Sequence, residues 1–232
     1  MKTTVFAATA SLALGLLAAP ASAIDLVPQQ EGEVNVGLGC YSDNCVALPS
    51  FIKSIASLQD ATSGTRSRLF VDVVSTANKY GSTEFLSKDA GTNSEGFWFR
   101  PSEYNESTGY SEEKGQLEVG TFTISFTKMM KELTVDFFDV EKAFNTGILA
   151  INGQSLETAD FMNAGANSNI QSRTLSNVSS ITLKLGWDDL NGTGDGANFR
   201  MDGVPVPEPA SIFGLLAIGG LGAGSLLKNK KQ

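Results

Sequence analysis

The chain has 232 residues, with 25 acidic and 17 basic side chains and no histidine, for a net charge of −8. The absent histidine excludes a Ser-His-Asp or Cys-His nucleophile, a histidine general base and histidine-ligated zinc. The acidic balance excludes the basic face that a nucleic-acid partner requires, while 41% hydrophobic residues suffice for one packed core.

The first element is an export signal. Lys2 gives a short positive start, Val5 to Ala19 is charge-free and mostly apolar, and Pro20 precedes Ala21-Ser22-Ala23. Small residues three and one before a cut are the pattern that signal peptidase reads, so residues 1–23 are expected to be removed after Ala23. Residues 24–203 then form the exported domain, with 13 basic and 24 acidic side chains and a charge of about −11. Such a surface keeps a secreted domain soluble. The two cysteines, Cys40 and Cys45, are expected to form a local disulfide in an oxidising compartment.

One helix is expected after Ser50 as cap, with Phe51, Ile55 and Leu58 along one side, and a second helical turn around Ser82–Lys88. The rest reads as strands. Leu69, Val71 and Val73 alternate within Arg68–Ser75, and Gly96–Arg100 is the aromatic run Gly-Phe-Trp-Phe-Arg. From Leu117 to Phe126 the alternation changes phase, and one extra residue at Gly120-Thr121 would restore a single buried face, as a bulge does. Leu133, Val135 and Phe137 alternate before Asp139. Ile148 to Ile151 precedes Asn152-Gly153, a strong hairpin signal. Ile181, Leu183, Leu185 and Trp187 form the last apolar face. Short strands separated by Gly, Asn and Ser turns imply an all-β fold, a jelly-roll-like antiparallel β-sandwich.

Three clusters carry candidate chemistry. Asp139 and Glu141 share a strand parity and suit a carboxylate pair for glycoside hydrolysis. The loop Asp188-Asp189-Leu190-Asn191-Gly192-Thr193-Gly194-Asp195 supplies the oxygen donors calcium prefers. A structural calcium held by Asp188, Asp189, Asn191 and Asp195 together with Asp139 or Glu141 is the metal expectation. Trp98 and Tyr104 are the candidate sugar-stacking aromatics, since stacking needs a flat, exposed ring.

The chain closes on Val206-Pro207-Glu208-Pro209, the 18 charge-free residues Ala210 to Leu227, and then Lys228, Lys230 and Lys231. At ~1.5 Å per residue that run reaches roughly 27 Å, enough to cross a hydrocarbon core as a transmembrane helix. The lysine flank stays cytoplasmic and Glu208 faces outward. Prolines 205, 207 and 209 leave an extended segment that a processing enzyme can grip.

Pro207-Glu208-Pro209, the Gly-rich apolar span and the basic tail together resemble a PEP-CTERM sorting signal over residues 204–232. Leu117-Glu118-Val119-Gly120, Leu133–Glu141 and Gly194–Arg200 are similar to the cyanobacterial LEVG-family PEP-CTERM proteins. The resemblance implies export, a transient membrane anchor, cleavage near the tripeptide by exosortase, and association with exopolysaccharide. It supplies no chemistry. The expectation is therefore a non-enzymatic surface or matrix component that contacts polysaccharide or copies of itself. The competing expectation is a carboxylate-dependent glycan-active enzyme.

Overall fold

The computed structural model describes residues 22–42, 44–60, 64–73, 76–81, 83–85, 96–104, 119–189, 192–194 and 196–207. In chain order its strands are β1 (Ile24–Asp25), β2 (Gly32–Val34), β3 (Ile52–Leu58), β4 (Arg66–Asp72), β5 (Asn78–Tyr80), β6 (Thr83–Phe85) and β7 (Trp98–Tyr104). There follow β8 (Gly120–Phe138), β9 (Gly147–Ile151), β10 (Gln154–Phe161), β11 (Ile170–Leu185), β12 (Trp187–Asp189), β13 (Gly192–Gly194) and β14 (Asn198–Pro205). No helix occurs among the described residues, and none there can cross a membrane as a helix. The fold is all-β and antiparallel, with the path β10-β9-β11-β8-β14-β7-β4-β2, β3 added on β8 and β1 on β14.

Two long strands organise the molecule. β8 has 19 residues and β11 has 16, and they pair from Gly120–Leu185 to Phe138–Ile170. Midway, the four residues 126–129 of β8 stand opposite the single residue Ser179. Extra residues on one strand bend it, so β8 serves two partners along one edge. Its residues 121–126 pair with β3 and its residues 130–138 with β14. Phe122, Ile124, Leu133, Val135 and Phe137 of β8 point inward with Ile181, Leu183 and Leu185 of β11. They meet Leu69, Val71, Phe99 and Phe199 in one core. β3 is drawn toward β4 as well, since the Ser67 amide donates to Ser57 Oγ at 3.0 Å and Arg66 Nη2 donates to the Ser57 carbonyl at 3.2 Å.

The hairpin predicted at Asn152-Gly153 joins β9 to β10, with φ of 55° and 75° at the two turn residues. Positive φ at both positions is what a tight hairpin turn requires. The Asn152 side chain also reaches β11. Its Oδ1 accepts from the amides of Ser179 (2.6 Å) and Ser180 (3.3 Å), and its Nδ2 donates to the Asn177 carbonyl (2.9 Å). The amides that the bulge takes from the ladder are thus satisfied by the neighbouring turn.

Four local expectations are corrected. Residues 52–58 form strand β3, not a helix. Ile52 pairs with Phe126 and Ser54 with Ser125, so Lys53 is an extra residue. That bulge spaces the buried Ile52 and Ile55 three apart and imitates a helical period. Thr83–Phe85 is likewise strand rather than helical turn, the rest of 82–88 lying outside the described residues. The bulge expected at Gly120-Thr121 is absent, because pairing with Lys184 and Leu185 is regular there, and the irregularity falls at 126–129. Trp187 leaves the apolar face of β11: Gly186, at φ 67°, turns the chain and Trp187 is 40% exposed.

One end of the sheet is buried on both faces. The outer face of β2, β4 and β7 carries Glu33, Arg68, Phe70, Asp72, Trp98 and Arg100, all buried. The β5–β6 hairpin brings Tyr80 and Phe85 over it, each ring centroid 5.0 Å from that of Phe70. The 35–48 segment brings Tyr41, whose ring lies 3.9 Å from the Arg68 guanidinium. Cys40 and Cys45 in that segment are disulfide-bonded, as expected.

Candidate functional site: an outer-face groove and an exposed tryptophan

The other half of the sheet, β3-β8-β11-β9, is left open on its outer face by the described residues. Alternation sends Phe122 and Ile124 into the core and puts Thr121 and Thr123 on the outer face, the first buried and the second half-buried there. On β11 it leaves Thr182 and Lys184 outside. With Leu58, Gln59 and Asp60 from the end of β3 they line a groove of about 520 Å³. Thr123 and Thr182 are cross-strand partners with their hydroxyls 2.9 Å apart. The lining is hydroxyl, carboxamide, one carboxylate and one ammonium over short apolar side chains. Such a surface offers hydrogen bonds in both directions with little net charge. Two exposed aromatics, Trp187 and Phe144, follow and precede the paired groove-edge residues Lys184 and Gly147 by three positions. The Gly186 amide donates to Thr146 Oγ1 at 2.9 Å, which ties the turn before Trp187 to the loop carrying Phe144. Phe144 is 73% exposed and holds φ 70°.

The charged groups of the opposite, covered end are packing elements. Arg100 and Asp72 are paired at 3.0 Å with side chains 1% exposed each, Phe85 stacks 4.5 Å from the guanidinium, and Asn78 Nδ2 donates to Asp72 Oδ1 at 3.0 Å. Arg68 pairs with Glu33, which also accepts from the Tyr41 amide. Burial pushes the Asp72 and Glu33 carboxyls up from their ordinary range, against the pull of those donors. Burial, followed by the carboxylates of Asp72, Glu31 and Glu33, pushes the Tyr80 hydroxyl up to about 12. Asp202 is raised by its burial and then by Asp25, its register partner on β1. Asp72 and Glu33 are enclosed by their partners, Tyr80 and Asp202 are half-buried, and none of these groups lines the groove.

The sequence-derived candidates fare unevenly. Trp98 is corrected: it is 2% exposed, packed 5.6 Å from Phe138 with the Arg200 guanidinium 4.6 Å over its ring. Strand β7 is covered on both faces, so neither parity presents a sugar platform, and the exposed tryptophan is Trp187. Tyr104 ends β7, and its side chain lies outside the described residues. Asp139 sits at φ 65° just past β8, and its Oδ1 accepts the Ser168 amide at 2.6 Å. It therefore serves as a turn cap beside the exposed Glu141. Asp188 and Asp189 belong to β12, their side chains outside the described residues, as are Asn191 and Asp195. Among the described residues no three metal-ligating side chains come together. Pro207 is exposed at the end of the described chain, and Glu208, Pro209, the 210–227 run and Lys228, Lys230 and Lys231 lie outside it.

No family model matches the chain, and no similar curated protein or solved structure is found.

Proposed function

We propose that this chain is an exported cell-surface or matrix protein whose jelly-roll-like β-sandwich domain binds neutral exopolysaccharide along the β3-β8-β11-β9 groove. Signal peptidase cuts after Ala23. A C-terminal PEP-CTERM sorting segment, residues 204–232, anchors the precursor in the membrane until exosortase cleaves near Pro207-Glu208-Pro209. The observation that carries the binding reading is the groove with its row of hydroxyls; Trp187, exposed and three residues beyond the groove residue Lys184 in the chain, is the ring we assign to its end. A pyranose polymer presents hydroxyl edges and apolar C–H faces, which match hydroxyl-lined and aromatic surfaces respectively. The domain's negative charge repels acidic polysaccharides and favours neutral ones. The Cys40–Cys45 disulfide suits an oxidising compartment. β14 ends at Pro205 and leaves Val206 and Pro207 exposed, so the tripeptide starts where a protease has access.

Two measurements test the reading. The mass of the form recovered outside the cell is expected to begin at Ile24 and to lack the apolar run; a form retaining Gln232 overturns the sorting step. Titration with soluble mixed-linkage β-glucan is expected to change the tryptophan emission, whereas alginate leaves it unchanged. Trp187→Ala is expected to weaken β-glucan binding about tenfold, which corresponds to about 1.4 kcal/mol of lost stacking. Binding that survives Trp187→Ala intact removes that ring from the site.

A further inference from the structure

The end of the fold where the chain leaves β14 has a composition unlike the rest of this acidic domain. The Val206 amide donates to the Met129 carbonyl at 2.9 Å, so the departing chain is fixed to the β8 bulge. The Thr127 amide donates to the Phe51 carbonyl at 2.9 Å, which brings the start of β3 to the same place. Lys128 lies over the Phe51 ring, 6.0 Å from its centroid. In residues 50–53, 126–132 and 204–207 the charged side chains are Lys53, Lys128, Lys131 and Glu132, a local balance of +2 in a chain of −8. The three lysines are exposed. Between them Met129 and Val206 are 46% and 41% exposed.

From this arrangement we infer that the β8 bulge, the start of β3 and the end of β14 form a membrane-resting face that lies on anionic lipid headgroups in the anchored precursor. The inference rests on the reading of residues 210–227 as a membrane anchor. Three residues separate Val206 from Ala210, and the four steps between them, fully extended, reach at most about 14 Å. The headgroup layer itself occupies roughly 5–7 Å of that distance. A domain tied down at Val206 by so short a tether is held with this face toward the bilayer. There its lysines meet lipid phosphates and its Met129 and Val206 side chains meet the upper acyl region. β3 runs away from this face for seven residues, Ile52 to Leu58, roughly 20 Å. The groove end at Leu58, Asp60 and Thr121 therefore faces outward, toward polymer.

The test uses the full chain, reconstituted into vesicles of phosphatidylcholine mixed with phosphatidylglycerol and exposed to an amine-reactive label, with each lysine read by peptide mass. Lys53, Lys128 and Lys131 are expected to label about fivefold more slowly than Lys79 and Lys184, because the headgroups cover them. A flexible Gly-Ser linker inserted after Pro207, combined with high salt, is expected to abolish that difference, the linker freeing the face and the salt screening its attraction to the lipid phosphates. Equal labelling of all five lysines in vesicles that retain the chain overturns the inference and leaves the anchor reading intact. Slow labelling that the linker and salt do not relieve also overturns it, since the occlusion then comes from the fold. A chain that fails to float with the vesicles refutes the anchor, and this inference with it.

Discussion

Replacing Arg100 by methionine is expected to destabilise the domain by about 3–5 kcal/mol, since it leaves a buried carboxylate without its countercharge. Methionine keeps much of the apolar volume under Phe85, so the charge rather than a void dominates the loss. Adding Asp72→Asn removes the stranded charge and keeps the acceptor for Asn78. The double variant is therefore expected to be more stable than Arg100→Met alone, measured as the urea midpoint. The pH dependence separates the two causes. Burial already raises the Asp72 carboxyl above its ordinary value in the intact domain, and loss of the guanidinium raises it further. A carboxyl whose pKa is higher folded than unfolded binds protons more tightly in the folded state. Its favourable contribution is complete below the unfolded value and is lost as pH rises through the folded one. The deficit of Arg100→Met should thus shrink as pH falls from 7 towards the ordinary aspartate range of about 4. A deficit independent of pH would mean that Arg100 acts through packing alone.

The same region explains what the sequence concealed. Alternation located most strands correctly because one face of each is buried and the other wet: Phe122, Ile124, Ile181 and Leu183 are legible on that rule, as is the Asn152-Gly153 turn. The rule fails where a strand is buried on both faces. Arg68, Asp72 and Arg100 are charged residues on the face opposite Leu69, Val71 and Phe99, yet they lie buried under Tyr41, Phe85 and the β5–β6 hairpin. Long-range closure of that kind leaves no local periodic signal. Bulges mislead in the other direction, since Lys53 shifts β3 by one residue and produces helical spacing. The candidate site was legible only in part. The hydroxyl row of Thr121, Thr123 and Thr182 is the ordinary outer half of an alternating pattern. It becomes a groove only once β3, β8, β11 and β9 are set side by side.

The two tryptophans give the sharpest contrast between the readings. Trp98→Ala is expected to cost about 3–5 kcal/mol, as it empties a site filled against Phe138 and Arg200 at 2% exposure. Trp187→Ala is expected to change stability by less than about 0.5 kcal/mol, because its ring is 40% exposed beyond the Gly186 turn. The chain has only these 2 tryptophans, so each variant isolates the emission of the other. With Trp187→Ala the remaining Trp98 should emit in the blue and resist acrylamide quenching. With Trp98→Ala, in the fraction that remains folded, Trp187 should emit in the red, quench readily and still respond to β-glucan. The reverse pattern, in which Trp98→Ala melts like the wild type while losing glucan retention, would return the sugar platform to β7 and overturn the burial of its outer face.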